Sequence, residues 1–259
     1  MAENHSKTEL KELGQTLLRI GAHLMSAGAN IQRIRKTVER VAGAFGCTID
    51  LLITNRALMI TISDDEVTHF HSGLKRTLPH GVNFRVVSGI SRMSWCVVDN
   101  NWTIDDVNAE IDRLIALPHY PRLLILGVVS LAGASFCRLF GGTHIDMLVA
   151  FGATFLGLFV RQESMKQNFN AYLCIFFAAF TSSLIASICV KFSAEVHDQA
   201  LNACVLYLIP GVPFINSFSD LIHGNIMNGI VKSVHGLIIA FAIAMGLMLA
   251  MQICQLLVL

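Results

Sequence analysis

From residue 122 to the end of the chain, apolar residues run in five stretches, each near the roughly 20 residues an α-helix needs to cross about 30 Å of hydrocarbon. They cover 123–140, 145–160, 169–190, 200–222 and 234–259. Hydrocarbon offers no water to pair with backbone amides, so such stretches are expected to satisfy their own hydrogen bonds as helices. Charge follows the same division. Residues 1–121 carry 13 Lys/Arg and 13 Asp/Glu, whereas the 138 residues after them carry six and five. Two parts are therefore predicted. An α+β cytoplasmic domain occupies 1–118, and an all-α polytopic membrane bundle of about five helices, the fourth broken, occupies 119–259.

In the first part, Leu10, Leu13, Leu17, Leu18, Ile20 and Leu24 recur at helical spacing. Ile31, Ile34, Val38 and Val41 repeat the pattern after a turn at Gly28-Ala29-Asn30. Short β-type runs are expected at 47–53, 57–62, 67–70 and 83–87. Thr103 opens a further helix with Asp106 at the capping-box position, and Trp95 and Trp102 pack a turn at Asp99-Asn100-Asn101. Two helices, about four strands and one helix make a two-layer domain with its helices on one sheet face.

Several function classes recede. A net charge of +1 without a basic run gives nucleic acid no grip. The seven cysteines include no C-x-x-C pair and read as buried small residues, so no metal and no cofactor is expected. His69 and His71 share one strand face but lack a second ligand pair. The sequence contains no G-x-S-x-G, H-E-x-x-H, G-x-x-x-x-G-K-[ST] or G-x-G-x-x-G, so no enzyme is indicated. The start of the chain has no apolar core and does not read as a secretory signal. Arg122, Arg161, Lys166 and Lys232 fall on one side of the bundle if the amino terminus is cytoplasmic, leaving Lys191 opposite. That predicts a multi-pass protein of a bacterial inner membrane with its first domain inside. Stripes of small residues, Ala179-Ser183-Ser187 and Ala242-Gly246-Ala250, suit close helix packing.

The fourth apolar stretch carries the strongest functional signal. Pro210, Gly211 and Pro213 interrupt it and remove backbone donors. Unpaired backbone at membrane depth persists only inside protein or along a wet cavity. A new half-helix after Pro213 would place Asn216, Ser217, Asp220 and Gly224 on one face, with Asn225 just beyond. Broken helices of this kind bind carboxylates and ions in transporters. The plainer reading is a proline kink with polar caps. Arg138 and Asp146 also enter the apolar zone. They either pair with each other across Gly141-Gly142, or Arg138 clamps a substrate carboxylate while Asp146 and Asp220 couple to protons. Arg161 and Gln162 read as interfacial anchors.

The segment Leu208-Ile209-Pro210-Gly211-Val212-Pro213-Phe214-Ile215-Asn216-Ser217-Phe218-Ser219-Asp220-Leu221-Ile222-His223-Gly224-Asn225, followed by Gly229, resembles the broken-helix motif of the threonine/serine exporter (ThrE-like) family. Tyr120-Pro121-Arg122, Phe136-Cys137-Arg138-Leu139 with Gly141-Gly142, Arg161-Gln162, Gly28-Ala29 and Gly81-Val82-Asn83 extend the likeness over nearly the whole chain. The resemblance implies export of small carboxylates, either threonine and serine or, in a two-component branch, succinate. It also implies a small hydrophobic partner subunit beside the lipid bilayer, because fused family members carry about twice as many spans. A homo-oligomer is compatible with it. The competing expectations are a membrane-anchored hydrolase and a ligand sensor, each using the amino-terminal domain.

Overall fold

The computed structural model describes residues 7–64, 70–77, 81–118, 120–192 and 196–256. Their contacts divide into two units, one of residues 1–118 and 212–233, the other of 119–211 and 234–259.

The first unit begins with α1 (Lys7–Ser26) and α2 (Ile31–Ala44). Leu10, Leu13, Leu17, Ile20 and Leu24 on α1, with Ile34, Val38 and Val41 on α2, are buried, as their helical spacing requires. Asn30 caps α2, its side chain accepting from the Arg33 amide at 2.8 Å. Three antiparallel strands follow in the order β1 (Cys47–Ile53), β2 (Ala57–Asp64), β3 (Phe70–Arg76). Leu58, Ile60 and Ile62 of the central strand face the helices and are buried. On the opposite face Leu52, Met59 and Leu74 stand directly across from one another and are exposed. The α+β arrangement with helices against one sheet face is thus present, with three strands among the described residues.

The run at 83–87 is not a strand but the start of α3 (Phe84–Asn100). Asn83 accepts from the Val86 amide, and Val87, Ile90, Met93 and Val97 continue at helical spacing into the core. Seventeen residues of amphipathic period outweigh a short β-rich opening. The run at 67–70 and His69 lie outside the described residues, apart from Phe70, which opens β3. Asn101 ends α3 in the left-handed region at φ +50°. The Arg40 guanidinium lies 3.8 Å from the Trp95 ring centroid, and Trp102 packs against the core. α4 (Ile104–Ile115) opens with both halves of the Thr103–Asp106 capping box.

The second unit contains α5 (Arg122–Leu139), α6 (His144–Lys166), α7 (Ala171–Phe192), α8 (Asp198–Cys204) and a 3-10 turn, Leu206–Leu208. Short connections join α5, α6 and α7, which pack as neighbours, and α8 packs on all three. The chain then enters α9 (Gly211–Ile222) and α10 (Ile226–Leu256). Among the described residues four helices, α5, α6, α7 and α10, are long and apolar enough to cross a membrane, and a fifth crossing results if the bent pair Asp198–Leu208 and Gly211–Ile222 counts as one. α6 continues past 160 to include Arg161 and Gln162. α10 starts eight residues before the expected span, so Asn228 and Lys232 ride on its first two turns. Those turns group with the first unit, and the helix from Val234 onward with the second.

Small residues set the closeness of the second unit's helices. A Cβ on Gly246 of α10 would lie 2.8 Å from the Phe176 carbonyl and 2.9 Å from the Ala179 Cβ, so α10 meets α7 at its backbone. Three buried hydroxyls find carbonyls, Ser130 donating to Leu126, Ser182 to Ala153 at 3.0 Å and Thr154 to Cys204, whereas the buried hydroxyls of Ser183 and Ser187 have no partner among the described residues.

Candidate functional site

The break in the fourth apolar stretch follows from Pro210. A residue before proline is pushed out of the helical region, and Ile209 sits at φ −57°, ψ 127°. Pro210 has no N–H to return to the preceding turn. The helix restarts at Gly211, and Pro213 falls in its first turn, where a donor is not needed.

α9 sends its polar side chains in two directions. Asn216, Ser219 and Asp220 reach the turn between α1 and α2. Asn216 Nδ2 donates to the Gly28 carbonyl at 2.8 Å, and Asn30 Nδ2 to Ser219 Oγ at 3.4 Å. Asp220, 1% exposed, accepts the Ile31 amide at 3.2 Å on one oxygen and Lys232 Nζ at 2.6 Å on the other. Ile31 is the first residue of α2, so the carboxylate also lies at the positive end of that helix. Ser217 faces α10 instead, donating to the Gly229 carbonyl at 2.7 Å and sharing a 2.5 Å bond with Ser233. The single polar face expected for Asn216, Ser217, Asp220 and Gly224 is therefore split, because 216 and 217 are about 100° apart on a helix. Gly224 and Asn225 form the turn into α10, Gly224 at φ +79° and Asn225 donating its amide to the Asp220 carbonyl at 2.8 Å. Beside Ser217 lies an open groove of about 430 Å³, lined by Phe214, Ile215, Phe218, Leu221 and Ser233.

Arg138 and Asp146 do not pair. Asp146 is fully buried at the start of α6, where Thr143 donates its amide at 2.7 Å and its hydroxyl at 2.9 Å. The remaining acceptor positions take the His197 amide at 2.7 Å and His197 Nδ1 at 3.2 Å. Asp146 is thus a cap that also ties down the entry to α8. Arg138, exposed at the end of α5, donates to the Gly142 carbonyl at 3.0 Å. At the other end of α5, Arg122 Nε donates to Gln162 Oε1 at 2.5 Å and Nη2 to Glu163 at 2.8 Å.

His197 and Lys232 were missed as site residues by sequence reasoning. Lys232 carried a signal, being one of six basic residues after position 121, but twelve residues separate it from Asp220. His197 had none.

The profile of the family described as "Putative threonine/serine exporter" (ThrE) matches residues 15–254. The chain belongs to the threonine/serine exporter family. The ThrE match spans both units and includes the broken segment. Two relatives are named "Probable succinate transporter subunit YjjP". The one from Klebsiella aerogenes is 24% identical over 249 residues, 95% of each chain. The one from Escherichia coli K12 is 22% identical over 240 residues, 91% of this chain and 92% of the relative. A "Pheromone-regulated membrane protein 10" from Kluyveromyces lactis is 23% identical over 253 residues, 93% of this chain but 26% of that much longer protein. No solved structure gives a significant match. With several membrane-capable helices and this ThrE membership, the chain is a multi-pass membrane protein of an exporter family.

Proposed function

We propose that this chain is the larger subunit of an inner-membrane secondary exporter for small carboxylates, either a succinate-type dicarboxylate or threonine and serine. In this reading a small hydrophobic, YjjB-like subunit completes the transporter, and the amino-terminal domain of 1–118 faces the cytoplasm. The observation that carries the proposal is the interrupted stretch at Ile209-Pro210, followed by a half-helix whose polar side chains find partners within the chain, with Ser217 and Asp220 buried. A plain anchor has no use for such a break, whereas transporters place solute at discontinuous helices.

Along the proposed path, Pro210, Gly211 and Pro213 keep the helix open. Ser217 lies at the groove beside α9, and Asp220 with Lys232 supplies a compensated pair of charges. Arg138 spends one guanidinium nitrogen on Gly142 and offers the rest of its fork to a carboxylate. Asp146, filled by Thr143 and His197, has a structural task. The names of the YjjP relatives support succinate, and the family description supports threonine and serine.

The test is efflux of labelled succinate, threonine and serine from vesicles containing this chain together with its small partner. Saturable efflux of at least one of them, absent from vesicles holding either subunit alone, is expected. No efflux of any small carboxylate from the paired subunits overturns the reading.

A further inference from the structure

Three side chains of α9 converge on one short turn. Gly28 offers a carbonyl, Asn30 a side-chain amide and Ile31 a backbone N–H, and they meet in turn the Asn216 amide, the Ser219 hydroxyl and the Asp220 carboxylate. A fourth bond, from Asn228 Nδ2 to the Ile53 carbonyl at 2.9 Å, extends the contact to the end of β1. Donor faces acceptor at every point. Three of these four bonds join neutral groups and the fourth, the Ile31 amide on the Asp220 carboxylate, involves a single charge, so none of them is an ion pair.

The charged component is arranged differently. The cation that compensates Asp220 is Lys232, which comes from the α9–α10 hairpin itself rather than from the amino-terminal residues. Breaking a buried ion pair is expensive because it strands a charge, yet here the pair travels with the hairpin. The α9–α10 hairpin can therefore leave the α1–α2 turn with its charge balance intact, giving up hydrogen bonds but no ion pair. That division suits a contact that opens and closes.

We propose that the α1–α2 turn is a reversible latch on the α9 hairpin, and that the amino-terminal domain controls transport by holding and releasing the inner half of the broken helix. The inference rests on the exporter reading for its consequence, but the opening itself is a property of this chain. The Asn30–Ser219 contact offers a place to clamp it.

The experiment uses the full chain with its partner in vesicles and the double substitution Asn30→Cys, Ser219→Cys, bridged by a short, reducible bifunctional thiosulfonate. Bridging is expected to lower efflux at least tenfold and reduction to restore it, with each single-cysteine variant unaffected by the reagent. Equal efflux from the bridged and unbridged double variant overturns the latch. A second measurement stands apart from transport: hydrogen exchange of the Ile31 amide against that of Ile60 in the strand core. The latch predicts exchange at Ile31 at least tenfold faster, through an opening that leaves Ile60 protected. Exchange of both together, only on global unfolding, contradicts it. Opening at Ile31 in a chain that exports nothing would sink the exporter reading and leave the latch standing.

Discussion

At Asp220 a carboxylate almost without solvent exposure is held by one ammonium and one backbone amide. Removing either charge strands the other, which costs about 3–5 kcal/mol in buried pairs. Asp220→Asn and Lys232→Met are each expected to destabilise the protein on that scale, and the double variant by clearly less than their sum. Denaturation of the four proteins in detergent completes the cycle, and additive losses would show that the two groups do not interact. Asp146→Ala removes the α6 cap and the tie to His197 together, whereas His197→Ala removes only the ring contact and keeps the backbone one. The first is expected to cost about 1–2 kcal/mol in the same assay, and the second less. These partnerships also mark the limit of residue-scale reading. Eight positions separate Arg138 from Asp146, near enough to suggest a pair, but Thr143 lies three residues before Asp146 and takes the carboxylate as a cap. Spacing alone ranks neither option, and His197, fifty-one positions away, gives no hint of itself.

Elements were more legible where a local rule acts unopposed. The α4 start is one case, since the Thr103–Asp106 box is written in four residues. Donation from Thr103 holds the Asp106 carboxyl below its ordinary value of 3.8. A lowered carboxyl contributes stability above its unfolded pKa and loses it as pH falls through the folded one. Asp106→Asn should therefore unfold more readily than the parent near neutrality, with the gap narrowing as pH falls below the ordinary carboxyl value of 3.8; a gap that stays constant on acidification would contradict the cap. The start of α3 is the opposite case. Phe84, Val86 and Val87 favour a strand locally, and the decision lies with Ile90, Met93 and Val97 farther along. Among the membrane-capable helices, the spacing of Ala242, Gly246 and Ala250 suggested close packing, and Gly246 meets the α7 backbone. Gly246→Leu is expected to cost about 1–3 kcal/mol by overpacking, and Gly246→Ala less. Thermal unfolding in detergent separates them, and an unchanged midpoint for Leu would place α10 elsewhere.

At the scale of the molecule, apolar length and charge density announced the membrane-capable helices, and the Pro210-Gly211 interruption announced the broken one. What neither could announce is that residues 212–233 group with the amino-terminal domain. That grouping depends on matching Asn216, Ser219 and Asp220 to a turn some 190 positions earlier, and periodicity carries no information over such a separation. The central claim is that the break at Pro210 exists for solute passage. Efflux from vesicles holding the paired subunits with Pro210→Ala and Pro213→Ala tests it most directly, alongside the thermal midpoint of the same protein. Restoring helix-forming residues is predicted to lower efflux at least tenfold while the midpoint stays the same or rises. Efflux at the parent rate from a folded, proline-free helix would contradict the account.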